Sequence, residues 1–137
     1  AMSVAIQQLM EKHSGMVIAG ASYWSLAAPR LTELRETEPG GMGHACELET
    51  SILLRVCQEL VRQDRAERDG DFSTSRFFGG EMLTPPPVVT ARSFSEISRH
   101  GGFVDPVGAT AEKGERFLAA IDEALVALCR EMLSGSA

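Results

Sequence analysis

Apolar residues recur at helical spacing in three stretches of this 137-residue chain. Ile6, Leu9 and Met10, with Val4 and the polar pair Gln7 and Gln8, predict an amphipathic helix over residues 2–13, which Ser14 and Gly15 end. Leu48, Ile52, Leu53, Val56 and Leu60 predict a second helix over residues 48 to about 61. Phe117, Ile121, Leu125, Leu128 and Met132 predict a third, with Thr110 as its N-cap and Gly135 at its end.

A different pattern fills residues 16–24, where Met-Val-Ile-Ala-Gly-Ala-Ser-Tyr-Trp is a short continuous apolar run and reads as a buried parallel strand. A helix followed by a strand is half of a βαβ unit whose first strand would precede Ala1. Ligands of α/β sheets bind at strand C-termini, which makes Tyr23, Trp24 and Ser25 candidates for a pocket wall; a core aromatic pair is the competing reading. Residues 29–43 form a charged, Gly-rich connection of the length that serves as a lid or subunit contact, with a short helical turn within residues 28–35. Residues 62–70 are charged and read as a solvated helix end and turn. Residues 72–80 are polar, with Phe77 and Phe78 expected to anchor in the core and packing on a neighbouring subunit as the alternative; Pro85, Pro86 and Pro87 exclude regular helix, and residues 88–94 read as a short strand.

The candidate chemistry lies at the start of the second helix. His44-Ala45-Cys46-Glu47-Leu48-Glu49 follows Gly40-Gly41-Met42-Gly43, so an imidazole and two carboxylates stand where a flexible loop becomes a helix. Glu49 falls four residues before Leu53 and seven before Val56, which points its carboxylate inward at the positive end of the helix dipole. Glu47 and Glu49 diverge by about 200° on a helix, so they have different tasks. The competing reading is that both acids only complement the dipole. Cys46 adds a thiol beside this turn; a small buried hydrophobe is its ordinary role and a reactive thiol the alternative.

Composition narrows the class. A formal charge of −6 without a basic cluster argues against nucleic acid as a partner. There is no apolar run of membrane-spanning length and no signal-peptide pattern. Cys46, Cys57 and Cys129 are odd in number and contain no C-x-x-C pair, which favours reduced thiols and a cytoplasmic location.

Gly43-His44-Ala45-Cys46-Glu47-Leu48-Glu49-Thr50-Ser51 resembles the G-H-A-G-E-x-E-T-S signature of the creatininase-like amidohydrolases. A second block, Gly102 to Pro106 followed by Ala109-Thr110-Ala111-Glu112-Lys113-Gly114, resembles that family's G-x-x-G-D-P-x-x-A-T-x-E-K-G ending. The resemblance spans nearly all of this chain but about half of a family member. It implies an α/β fold, a three-layer α/β/α domain with a mostly parallel sheet, to which this chain supplies the C-terminal half. It also implies one or two divalent metals per site, zinc foremost with manganese or iron as alternatives, and hydrolysis of amide C–N bonds in small, often cyclic, molecules. Symmetric oligomers, hexamers among them, are implied as well.

By this resemblance, His44 is the substrate-contacting, proton-handling histidine and Glu49 the acid that supports it. Glu47 is a ligand of the second metal, a place that is apolar in creatinine-hydrolysing members, which argues against creatinine as substrate. Trp24 and Asp105 are the candidates for substrate contact, and His100 lies in a stretch where the family places a covering loop. The family's upstream Glu-x-His, Asp and N-G-H-G-G-N-like segments do not occur in these residues, and Ala1 before Met2 is not an ordinary translational start. The expected partners are therefore the N-terminal half of the same protein, a small-molecule amide and further copies of the chain. The runner-up reading is a non-catalytic assembly or regulatory subunit of the same fold.

Overall fold

The computed structural model describes residues 2–70 and 75–135. The elements run in the order α1 (Met2–Lys12), α2 (Tyr23–Leu26), α3 (Ala28–Leu34), α4 (Glu47–Val56), α5 (Phe94–Ile97) and α6 (Ala111–Leu133), with 3-10 turns at Gln58–Leu60 and Gln63–Arg65. The long α6 is the platform, and α4 crosses it as the principal packing contact, with α2 and α3 against the same helix. Thr110 caps α6 as its sequence predicts, accepting from the Lys113 backbone N–H at 3.2 Å.

Phe117, Ala120 and Ile121 of α6 meet Leu48 of α4, Ala27 and Leu31 around α3, and Met42, Cys46, Leu83 and Val104 from the connecting segments. Gly114 lets the two main helices approach. A Cβ there would overlap the backbone carbonyl of Ser51 on α4. Gly114→Ala is expected to force the helices apart and destabilise the protein by about 1–3 kcal/mol, despite alanine's better helix propensity. Urea denaturation checks this, and a neutral or stabilising substitution would show that the close crossing does not exist.

Three expectations of secondary structure change. Residues 16–24 form no strand: Tyr23 and Trp24 open α2, and Met16 and Val17 lie exposed. A parallel strand needs a neighbour's backbone on at least one edge, and among the described residues only the isolated bridge between Asp69 and Val104 occurs. The second helix starts at Glu47 and stops at Val56, where Cys57 adopts φ −157°, ψ 58° and breaks the helical path. Its buried face is Glu47, Leu48, Ser51 and Leu54, so Leu53, Val56 and Leu60 point away from the core. Residues 88–94 likewise form no strand. Phe94 opens α5, whose capping box joins Ser93 and Glu96 reciprocally, and among the described residues no strand pairs with Val88 and Val89.

Phe77 and Phe78 are exposed rather than core anchors, with the Arg76 guanidinium 5.2 Å from the Phe77 ring centre. Residues 72–74 of the polar stretch lie outside the described residues. No helix among the described residues is long and apolar enough to cross a membrane.

Candidate active site

His44 sits on a turn fixed from three sides. On the first, the buried Glu81 carboxylate accepts from the backbone N–H groups of Gly40 at 2.8 Å and Met42 at 3.2 Å while paired with buried Arg35. On the second, the Met82 N–H donates to the Met42 carbonyl at 2.7 Å. On the third, the Phe103 N–H donates to the His44 carbonyl at 2.8 Å. Gly43 is required at that last contact, since a Cβ would stand 2.8 Å from the Phe103 carbonyl oxygen.

The next residue, Ala45, is held at φ +58°, and Val104, across the turn, at φ +132°. Non-glycine residues in these conformations cost about 1–3 kcal/mol each and persist only where the surroundings over-determine them. At Ala45 the surroundings are visible: its N–H donates to Glu49 Oε2 at 2.6 Å. The same Oε2 lies 4.0 Å from His44 Nδ1. One carboxylate thus fixes the strained residue and faces the imidazole.

The inward carboxylate of the helix start is Glu47, not Glu49. Glu47 is 0% exposed, whereas the Glu49 side chain is 30% and the His44 side chain 63% exposed. Glu47 Oε1 accepts from Lys113 Nζ at 2.8 Å, and Oε2 accepts from the Thr37 N–H at 2.8 Å and the Thr37 hydroxyl. Both oxygens also receive the Glu36 N–H, at 3.3 and 3.2 Å. Burial pushes this carboxyl upward, but the hydrogen bonds from Lys113 and Thr37 and the lysine charge outweigh it and hold it below its ordinary value. Lys113 is its counterpart: burial disfavours the ammonium, yet bonds to Glu36 at 2.7 Å and to Glu47 raise it above its ordinary value. Lys113 Nζ donates as well to the Gly108 carbonyl at 2.6 Å, which closes a knot between the loop before His44, the start of α4 and the start of α6. Sequence placed Glu47 as a metal ligand; here its two oxygens are taken by protein donors.

An open cavity of about 400 Å³ adjoins the turn, lined by Trp24, Met42, Gly43, His44, Glu49, Glu81, Met82 and Phe103 among others. Of the candidates singled out from sequence it brings together His44, Glu49 and Trp24. Trp24 meets Tyr23 edge-on, with ring centres 4.9 Å apart. The Tyr23 hydroxyl is raised above its usual range, first by burial and then by the nearby Glu49 charge.

Asp105 does not line this cavity. Its Oδ1 accepts from the Val107 N–H at 2.9 Å in a local turn, so it shapes the chain before α6. His100 pairs with Glu67 at 2.5 Å beside a separate hollow behind Ala45 and Thr50. The Cys46 thiol is fully buried, and burial raises it above its ordinary value, so it serves as a small core hydrophobe. Glu81 and Asp69 escaped the sequence reading. Each stands next to a glycine, an ordinary turn signal that says nothing about which distant backbone the acid will hold.

Among the described residues no three His, Cys, Asp or Glu side chains converge into a set able to hold a metal ion. His44 and Glu49 form a pair, and Glu47 is engaged elsewhere. The donors present therefore do not make a metal centre by themselves. What they do offer is a solvent-accessible imidazole, a carboxylate facing it and an apolar wall, groups able to serve acid–base chemistry.

The family model described as creatinine amidohydrolase (Creatininase) matches residues 1–129. Among solved structures, a Bacteroides fragilis protein assigned as a creatinine amidohydrolase superposes with a TM-score of 0.76 at 26% identity, covering 96% of this chain and 49% of that one. A mutant creatininase complexed with creatine gives a TM-score of 0.58 at 21% identity, again covering 49% of its length. A second mutant creatininase gives 0.56 at 19%. The latter two are likenesses of fold. No curated relative matches the chain. The chain spans about half the length of these structures.

Proposed function

Because this chain belongs to the creatininase family, whose members are in general metal-dependent amidohydrolases, we propose that it carries the acid–base half of a site hydrolysing an amide C–N bond in a small molecule. The observation that carries this reading is the His44–Glu49 pair on a strained turn beside a cavity walled by Trp24. His44 protonates the departing nitrogen or donates to the tetrahedral oxyanion, contributions worth about 10²–10⁴-fold for a placed general acid. Glu49 faces Nδ1 with its charge and, by way of the Ala45 N–H, keeps the turn from relaxing. Trp24 offers a flat apolar surface on which the substrate body rests.

A divalent ion, zinc foremost with manganese or iron as alternatives, would polarise the scissile carbonyl and activate water. In this reading its ligands come mainly from residues outside this chain. Glu47 acts instead as the buried anchor of the α4 start, because its oxygens are already held by Thr37, Glu36 and Lys113.

The preceding half of the domain is the natural cover for what lies open here. Met2, Val4, Met10, Met16 and Val17, Leu53 and Val56 on α4, and Leu60 in the 3-10 turn after it are exposed apolar side chains. Buried against further strands, residues 16–22 would join the mostly parallel sheet of a three-layer α/β/α domain, and copies of that domain would assemble as a symmetric oligomer.

The test is an assay of the full-length protein, this chain joined to the half that precedes it, against formylamides, cyclic amides and peptide-like amides, reading amine release with and without added zinc, manganese or iron. Turnover of at least one class, lost on chelation and restored by metal, is expected. No turnover of any class by metal-loaded protein would favour an assembly or regulatory subunit instead.

A further inference from the structure

The His44 imidazole has an aromatic neighbour that neither motif contains. Phe94, the first residue of α5, meets it edge-on with ring centres 5.6 Å apart and an interplanar angle of 76°. Phe94 is itself 53% exposed, so nothing about its burial fixes it there. What fixes it is the hydrogen bonding at both ends of a four-residue helix. At the front, the Ser93 N–H donates to Glu96 Oε2 at 3.1 Å in the capping box. At the back, the Ser98 N–H donates to the Phe94 carbonyl at 2.9 Å, and the residues that follow are gathered by one carboxylate, Asp69.

Asp69 is 8% exposed and far from α5 in sequence. Its Oδ2 accepts from the Ser98 hydroxyl at 3.0 Å, the Arg99 N–H at 2.7 Å and the His100 N–H at 2.9 Å. Burial disfavours the charged form, but these donors and the Gly70 N–H prevail and hold Asp69 well below the usual carboxylate range. Its backbone reaches the same place by a second route. Asp69 and Val104 exchange N–H···O bonds of 3.1 and 2.8 Å, and the neighbouring Phe103 N–H donates to the His44 carbonyl. A single residue thus ties the α5 turn to the segment that fixes the His44 backbone.

We propose that Phe94 is a positioning residue for the His44 imidazole and that Asp69, by anchoring the 98–100 turn, holds Phe94 in place. The proposal rests on the acid–base role given to His44 above. An imidazole 63% exposed on its turn would otherwise sample several rotamers, and one aromatic edge contact, worth about 0.5–1.5 kcal/mol, is enough to favour one of them severalfold.

The experiment is ¹H–¹³C NMR of the full-length protein labelled at histidine Cε1, without substrate, with His44→Gln identifying the His44 signal. Loss of the ring current in Phe94→Ala should move that signal and broaden it as rotamers mix, while Phe94→Tyr should keep its wild-type position. Asp69→Asn should move it in the same direction as Phe94→Ala, and the double variant should move it no further than the larger single change, as expected for two residues acting through one contact. A His44 signal unmoved in Phe94→Ala overturns the proposal, as does one that moves in Phe94→Ala but not in Asp69→Asn. Phe94 is half-exposed, so its variants test the contact in a folded protein even where Asp69→Asn unfolds. The signal is read without turnover, so a failure here is distinct from failure of the hydrolytic reading.

Discussion

Replacing Lys113 with methionine destabilises the full-length protein by about 3–5 kcal/mol, the cost of leaving a buried carboxylate without its cation. The geometry makes this a large effect. Glu47 is 0% exposed and the Lys113 side chain 9%, so neither water nor a mobile neighbour replaces the lost ammonium. Glu36, the third member, is mostly exposed and needs no such partner. Lys113→Met combined with Glu47→Gln recovers much of the loss, because a neutral amide still accepts from the Thr37 N–H without a buried charge.

The pH dependence follows from the directions of the two shifts. Glu47 is depressed below its ordinary 4.5, so its contribution is complete above that value and is lost as pH falls through its lower folded-state value. Lys113 is raised above its ordinary 10.5, so its contribution is complete below that value and is lost only as pH rises beyond it. In Lys113→Met the carboxyl protonates more readily. Chemical denaturation should therefore show the gap between wild type and variant narrowing as pH falls from the carboxyl's higher value in the folded variant to its depressed value in the folded wild type. A variant as stable as wild type at neutral pH would show that the pair does not close the knot.

On the acid–base role proposed for His44, its replacement with alanine is expected to lower kcat/KM of the proposed amide hydrolysis by about 10²–10⁴-fold without unfolding the protein. Its imidazole is mostly exposed and makes no bond that the core depends on, since the turn is held through its backbone. Glu49→Gln should cost less, because the amide oxygen still accepts from Ala45 N–H while the charge facing the imidazole is gone. Steady-state kinetics with a thermal unfolding control separate these outcomes. A His44→Ala enzyme within a fewfold of wild type would remove His44 from the chemistry.

The contrast between Glu47 and Glu49 shows how much of this site sequence can specify. The string around His44 marks the turn that lies beside the Trp24-walled cavity, and the α4 and α6 helices follow from local periodicity and a Thr110 cap. Which acid turns inward does not follow, because apolar residues occupy both sides of α4: Leu48 and Leu54 face α6, while Leu53 and Val56 face outward. The choice is made by Lys113, sixty-six positions away from Glu47. Phe94 was hidden by Val88 and Val89, whose strand propensity masked the Ser93–Glu96 capping pattern directly after them. Asp69 is legible only in three dimensions, since its partners at Ser98, Arg99 and His100 give a backbone and a hydroxyl rather than a motif. The strand expected at residues 16–24 is the converse case: its apolar run has no sheet to enter among the described residues.

The most direct test of the site as a whole is to locate bound metal in crystals of the full-length protein grown with zinc, by anomalous scattering at the zinc edge. The account predicts one or two ions at the cavity that Trp24, His44 and Glu49 line, with ligands contributed mainly by the preceding half of the domain and with Glu47 still paired to Lys113. No ion there, or ions bound only at a place remote from His44, would contradict it.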